Sequence, residues 1–155
     1  MKKLFALLAA LVCTSVAFGA DLRVQSALDD AGLKYTIDDD GDFRLLFGQE
    51  DDRSQLVWIN SNTEEYGNME LREVWGIGYR AGEDGSLSRT QLLDLLKRNN
   101  TYKLGSWRLS SNGQNVIFTI TVDADADGET LDTVARYVAD LTDELEKDWD
   151  GGDEL

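Results

Sequence analysis

The 155-residue chain carries 30 acidic and 15 basic side chains, a formal net charge of −15 at pH 7, with no histidine, no proline and one cysteine. The lack of histidine excludes Ser-His-Asp and Cys-His catalysis and every histidine-ligated zinc or iron site. The negative charge disfavours nucleic acid and anionic lipid, whose phosphates need cationic neutralisation, and fits a cationic partner or simple solubility better.

Met1-Lys2-Lys3 is a short basic start, and the apolar run Leu4 to Val12 falls far short of the ~20 residues a membrane span needs. Ala17-Phe18-Gly19 fits the small-x-small pattern read by signal peptidase. Residues 1–19 are therefore expected to be a bacterial export leader, cleaved after Gly19 or Ala20, with the product periplasmic or secreted. Cleavage would remove Lys2, Lys3 and Cys13, leaving a net charge of 13 − 30 = −17. No disulfide or thiol nucleophile is then available, and any metal would have to be a hard cation held by oxygen. The remainder is the size of one domain, expected over residues 20–149, with an acidic tail at 150–155.

Val24, Ala27, Leu28 and Ala31 follow helical spacing, and Gly32 is placed to end that helix. Tyr35 and Ile37 alternate with polar residues up to the turn "DDDG"; Phe43, Leu45 and Phe47 resume the alternation, which predicts a hairpin over residues 34–48. "QLVWIN" (55–60) is apolar at successive positions and is expected to be an inner strand, apolar on both faces. "LREVWGIGY" (71–79) predicts a further strand. In "SLSRTQLLDLLKRNN", Ser88 and Gln91 make a capping-box pattern, and Leu92, Leu95 and Leu96 form the apolar stripe of a helix. "GSWRLSS", the turn Asn112-Gly113 and "NVIFTITV" predict a second hairpin. In its second strand Val116, Phe118, Ile120 and Val122 face one way and Thr119 and Thr121 the other. The last helix carries Leu131, Val134, Ala135, Val138, Leu141 and Leu145 at three-to-four spacing. The predicted order is α-ββ-ββ-α-ββ-α, an α+β domain with an antiparallel sheet and helices packed on one face.

One stretch resembles a metal loop. Asp123-x-Asp125-x-Asp127-Gly128 matches positions 1, 3, 5 and 6 of a twelve-residue calcium loop. Position 12, where a bidentate carboxylate completes the shell, falls on Val134 in the apolar stripe. The same residues are also explained as a strand-to-helix junction in which Asp127 caps the helix and Gly128 helps the tight turn. The expectation is no metal site, with calcium at Asp123, Asp125 and Asp127 as the alternative. "GIGYRAG" (76–82) has the wrong glycine offsets for a phosphate loop, and no cofactor is expected. A glycosidase-like carboxylate pair needs one acid in an apolar setting that raises its pKa, yet the acids lie in polar runs and turns, so no enzyme is expected. Asn99-Asn100-Thr101 has the form of a glycosylation sequon, read as chance. The four tryptophans are expected in the core or at its rim, with Trp149 the one to mark a partner surface.

From Leu22 to Trp149 the chain resembles the bacterial YbjN family, labelled sensory transduction regulators. The likeness is carried by "ALDDAGLKYTIDDDGDFRLLF" and by "LLDLLKRNNTYKLGSWRLSSNGQNVIFTITVDADADGETLDTVARYVADL". The resemblance implies a fold like that of type III secretion chaperones, small acidic proteins that dimerise and bind polypeptides. It brings no catalytic residues. The implied function is an exported, non-enzymatic adaptor or regulator that binds a protein or peptide, with a homodimer as its implied assembly.

Overall fold

The computed structural model describes residues 19–81 and 86–149. The expected leader up to residue 18, the acidic tail 150–155 and Gly82 of the "GIGYRAG" stretch lie outside the described residues. Helix α1 (Leu22–Asp30) opens on Asp21, whose carboxylate accepts the Arg23 N–H as an N-cap. Strands β1 (Thr36–Ile37) and β2 (Phe43–Gly48) form the predicted hairpin, and β3 (Ser54–Ile59) follows antiparallel to β2. Then come β4 (Glu64–Tyr66), β5 (Met69–Arg80), α2 (Arg89–Asn99), β6 (Ser106–Leu109), β7 (Asn115–Asp123) and α3 (Gly128–Trp149).

The fold is α+β, with seven antiparallel strands in the order β1-β2-β3-β5-β7-β6 and β4 paired to β5 beside that path. The predicted order lacks β4: its three residues are polar and exposed, Glu64-Glu65-Tyr66, and give no alternation to read. A second correction concerns β3. Gln55, Val57 and Ile59 are buried while Leu56 and Trp58 are only half-buried, so one face of the strand carries the core.

Helix α3 lies on the sheet and α1 packs against α3. All six stripe residues of α3 are buried. Fully burying a leucine or valine contributes about 1.5–3 kcal/mol, so this stripe is a main source of stability. Two glycines of "GIGYRAG" serve this contact. A Cβ on Gly76 would lie 3.0 Å from Val138 Cγ1, and one on Gly78 would lie 2.8 Å from the Trp107 ring. Their absence lets helix and indole sit directly on β5.

Gly128 has a similar purpose, at the contact between helices rather than in the turn as predicted. A Cβ there would stand 2.2 Å from the Ala27 carbonyl oxygen and 2.7 Å from Ala31 Cβ. Gly128→Ala should therefore push α1 off α3 and cost about 1–3 kcal/mol, read by urea unfolding.

Buried charges tie the elements together. The Arg72 side chain is 0% exposed; it donates to Asp21 Oδ2 at 2.7 Å, to the Asn60 carbonyl at 2.7 Å and to the Ala124 carbonyl at 2.9 Å. Arg23 extends the cluster to Glu70 at 2.7 Å and Asp125 at 3.0 Å. Towards the other end of the sheet, Arg53 pairs with Asp143 at 2.8 Å and Glu146 at 2.7 Å, and Gln55 Nε2 donates to the same Glu146 oxygen at 2.6 Å.

These pairs make the fold acid-sensitive. Hydrogen bonds from Arg23 and Thr63 pull Glu70 down to about 2. Burial alone would raise Asp21, but hydrogen bonds from Arg23 and Arg72 outweigh it and hold the carboxyl well below its usual range. Burial also opposes ionisation of Asp143, and Arg53 and Lys147 again win, leaving it lowered. Carboxylates depressed in the folded state stabilise it above their unfolded pKa, and that contribution disappears as pH falls through the folded value. Stability measured by urea titration should be nearly flat from neutrality to about pH 5 and fall steeply from about pH 4 to about pH 2. Asp42 acts in the opposite sense, raised first by burial and then by Asp38 and Asp40, so its protonation offsets a small part of the loss.

Candidate functional site

The carboxylates of the Asp-rich loop are engaged by groups of the chain itself. Asp123 Oδ1 accepts the Asp125 N–H at 2.9 Å, Asp125 pairs with Arg23, and Asp127 Oδ1 accepts the Thr130 N–H at 2.8 Å. These hydrogen bonds from Thr130 lower the pKa of Asp127, as befits the cap of α3. Val134 points into the core. Among the described residues no group of three or more carboxylates is placed to hold a metal ion. Calcium should consequently raise the melting temperature no more than magnesium does at equal ionic strength, checked by thermal melts with a chelator control.

The raised carboxyl of Asp42 accepts the Ser61 backbone N–H at 2.7 Å, which fastens the first hairpin to the loop after β3. The sequon residue Asn99 is committed as well. Its carboxamide accepts the Trp107 N–H at 2.7 Å and donates to the Trp107 carbonyl at 3.1 Å, occupying the outer edge of terminal strand β6. Among the described residues no helix is long and apolar enough to cross a membrane.

Two surfaces remain whose composition departs from an ordinary acidic exterior. The first runs from α2 to β6. The capping box of Ser88 and Gln91 forms as predicted, but the stripe does not bury as predicted: Leu95 is 6% exposed, whereas Leu92 and Leu96 are 40% and 66% exposed. Helix α2 flanks the terminal strand, and only one side of it meets the core. Five of the ten exposed large apolar side chains among the described residues (Leu92, Leu93, Leu96, Leu104 and Leu109) fall within residues 92–109, a concentration that marks a contact surface. Leu104 also forms the lip of a cleft of about 370 Å³ between the α2–β6 connection and α3, lined by Tyr102, Ile120, Val134 and Tyr137 with Lys103 beside them. Concave, mostly apolar clefts of this size take a large side chain or a small ligand.

The second surface is the sheet face turned away from α3. Strand pairing places Thr36, Arg44, Trp58, Trp75, Thr119 and Ser106 in one row across six strands. The Trp58 and Trp75 rings stack at 4.5 Å with planes 6° apart, and the Trp75 indole N–H donates to Asn60 Oδ1 at 2.7 Å. In the next row Leu46 is opposite Leu56, and Ile77 is opposite Ile117, which is opposite Arg108. Arg108 reaches Glu73 at 2.9 Å.

Among the tryptophans, Trp107 is core, and the half-buried Trp149 packs edge-on against Tyr79 at the core's rim. The pair that faces away from the core is Trp58 and Trp75. The signal was in the sequence, since Trp58 alternates with Val57 and Ile59, and Trp75 with Val74 and Gly76, all buried.

No protein-family model matches the chain, and no curated protein matches it. The functional reading accordingly rests on the chemistry of these two surfaces.

Proposed function

We propose that the protein is an exported, non-enzymatic adaptor that binds polypeptide segments. The exposed leucines of α2 and the adjoining apolar cleft support this reading best. A partner segment would set apolar side chains against Leu92, Leu96 and Leu104 and seat one in the cleft beside Tyr102 and Tyr137. The chain as a whole has 30 acidic and 15 basic side chains, which favours a partner with basic residues; these belong away from the anchors themselves, because residues 86–109 hold five basic side chains and one acid. The resemblance to secretion chaperones points the same way.

The test is fluorescence polarisation with labelled basic amphipathic peptides and equally charged controls carrying alanine at the apolar positions. The amphipathic peptides should bind saturably and at least about tenfold more tightly than the controls, because buried apolar anchors dominate such interfaces. Leu96→Asp and Leu104→Asp should remove the difference. Equal binding of both peptide sets, or indifference to the two substitutions, would overturn the proposal.

A further inference from the structure

We infer that the cleft beside Leu104 takes the C-terminal residue of the polypeptide partner, with its apolar side chain inside and its free carboxylate on Lys103. The inference rests on the peptide-binding reading above and names the part of the partner that this site recognises.

The cleft is built for an apolar group. Its deepest lining residues are Ile120 and Val134, 2% and 8% exposed, and the half-buried rings of Tyr102 and Tyr137 flank them. Both rings stand edge-on to Phe118, at 5.3 Å and 6.1 Å between centroids, so one core ring braces them. Gly105, at a φ of +74°, lays the connection that carries Tyr102, Lys103 and Leu104 onto β7. A Cβ there would stand 2.5 Å from the Thr119 carbonyl oxygen.

The rim carries a single charge. Lys103 is exposed, forms no ion pair among the described residues, and is the one charged group in the lining. No carboxylate lines the cleft, in a chain with 30 acidic side chains. Helix α3 turns its nearby acids to the other side. Asp132 is held by Arg136, whose guanidinium lies 5.2 Å from the Phe47 ring, and Asp140 accepts from Gln49 just beyond β2. An anion can therefore approach here without meeting a like charge at the contact.

One cation beside one apolar cleft suits a ligand that presents a carboxylate and an apolar side chain from the same residue. Within a polypeptide that residue is the last one, because an internal anchor is followed by a neutral amide. The overall charge sharpens the expectation. An amide-capped peptide is one unit more positive than its free acid, so the net charge of −15 by itself favours the amide. A preference for the free acid has to come from the cleft.

Fluorescence polarisation tests it, using one basic amphipathic peptide that ends in leucine and is labelled at its N-terminus. The free acid should bind about fivefold more tightly than the amide, the gain that a partly exposed charge pair supplies. Extending the free acid by Gly-Gly keeps the charge but moves it off the leucine, and should bind as weakly as the amide. Lys103→Gln, at an exposed position, should fold normally and bring the free acid down to the level of the amide. Octanoate, an apolar acid without a peptide chain, should compete only at millimolar concentration. An amide as tight as the free acid, a Gly-Gly extension without effect, a preference that survives Lys103→Gln, or octanoate competing as well as the peptide would overturn the inference. The comparison with alanine at the apolar positions, run in parallel, separates the two readings: if it still discriminates, only the choice of the C-terminus falls, and if it does not, peptide binding falls with it.

Discussion

Arg72→Met should lower the free energy of unfolding by about 3–5 kcal/mol, measured by urea titration at neutral pH. The guanidinium is completely enclosed and joins three parts of the chain: the cap of α1 through Asp21, the end of β3 through the Asn60 carbonyl, and the β7–α3 junction through the Ala124 carbonyl. Methionine keeps the aliphatic volume but abandons a carboxylate and two carbonyl oxygens. Two of these acceptors belong to the backbone, so no second substitution can remove them. Asp21→Asn should recover only a minor part of the loss, because the carbonyls stay unpaired in any side-chain background.

Arg53→Met should be comparably damaging, about 3–5 kcal/mol by the same measurement, but for a reason that can be undone. Asp143 and Glu146 are 5% and 2% exposed, and without Arg53 each loses its buried cation, Asp143 keeping Lys147 at 2.9 Å and Glu146 the Gln55 amide at 2.6 Å. The penalty should shrink as pH falls, since Asp143 without its guanidinium protonates more readily than when paired. Asp143, Glu146 and Gln55 all meet this cluster through side chains. Combining Arg53→Met with Asp143→Leu, Glu146→Leu and Gln55→Leu should therefore restore most of the lost stability, because well-packed apolar groups commonly equal a buried ion pair. If the quadruple variant is as unstable as the single one, the ions contribute more than mutual compensation.

Much of the scaffold was legible in the sequence. Periodicity located α3 and its stripe, the Ser88–Gln91 box located the start of α2, and the Asn112-Gly113 turn located the second hairpin. Asp127 was legible as a cap because capping depends on neighbours three residues away. What escaped were features fixed by residues distant in the chain. Nothing local in the sequence sets Arg72, Arg53 and Glu146 apart from solvated charges, and only the meeting of strands and helices from across the chain encloses them. The leucines of α2 read as a buried stripe, since apolar spacing states which side of a helix is greasy but not whether anything covers it. Gly128 read as a turn residue, while its role is set by α1, about a hundred residues earlier. The tryptophan row was similarly hidden: alternation gives each strand two faces, but the alignment of Arg44, Trp58, Trp75 and Thr119 exists only in the register.

The clasp of Asn99 on Trp107 bears on how far association can go. An unpaired terminal strand ordinarily offers a template on which further chains can add, and a protein with a tryptophan-rich face would be especially exposed to runaway polymerisation. Here a carboxamide holds both hydrogen-bonding groups of Trp107 at the centre of that margin, and the opposite margin is β1, only two residues long. Both flanks thus offer a recruit little regular strand to pair with. A glycan on Asn99, or Asn99→Asp, would unlatch that margin and open a route to strand addition and fibres.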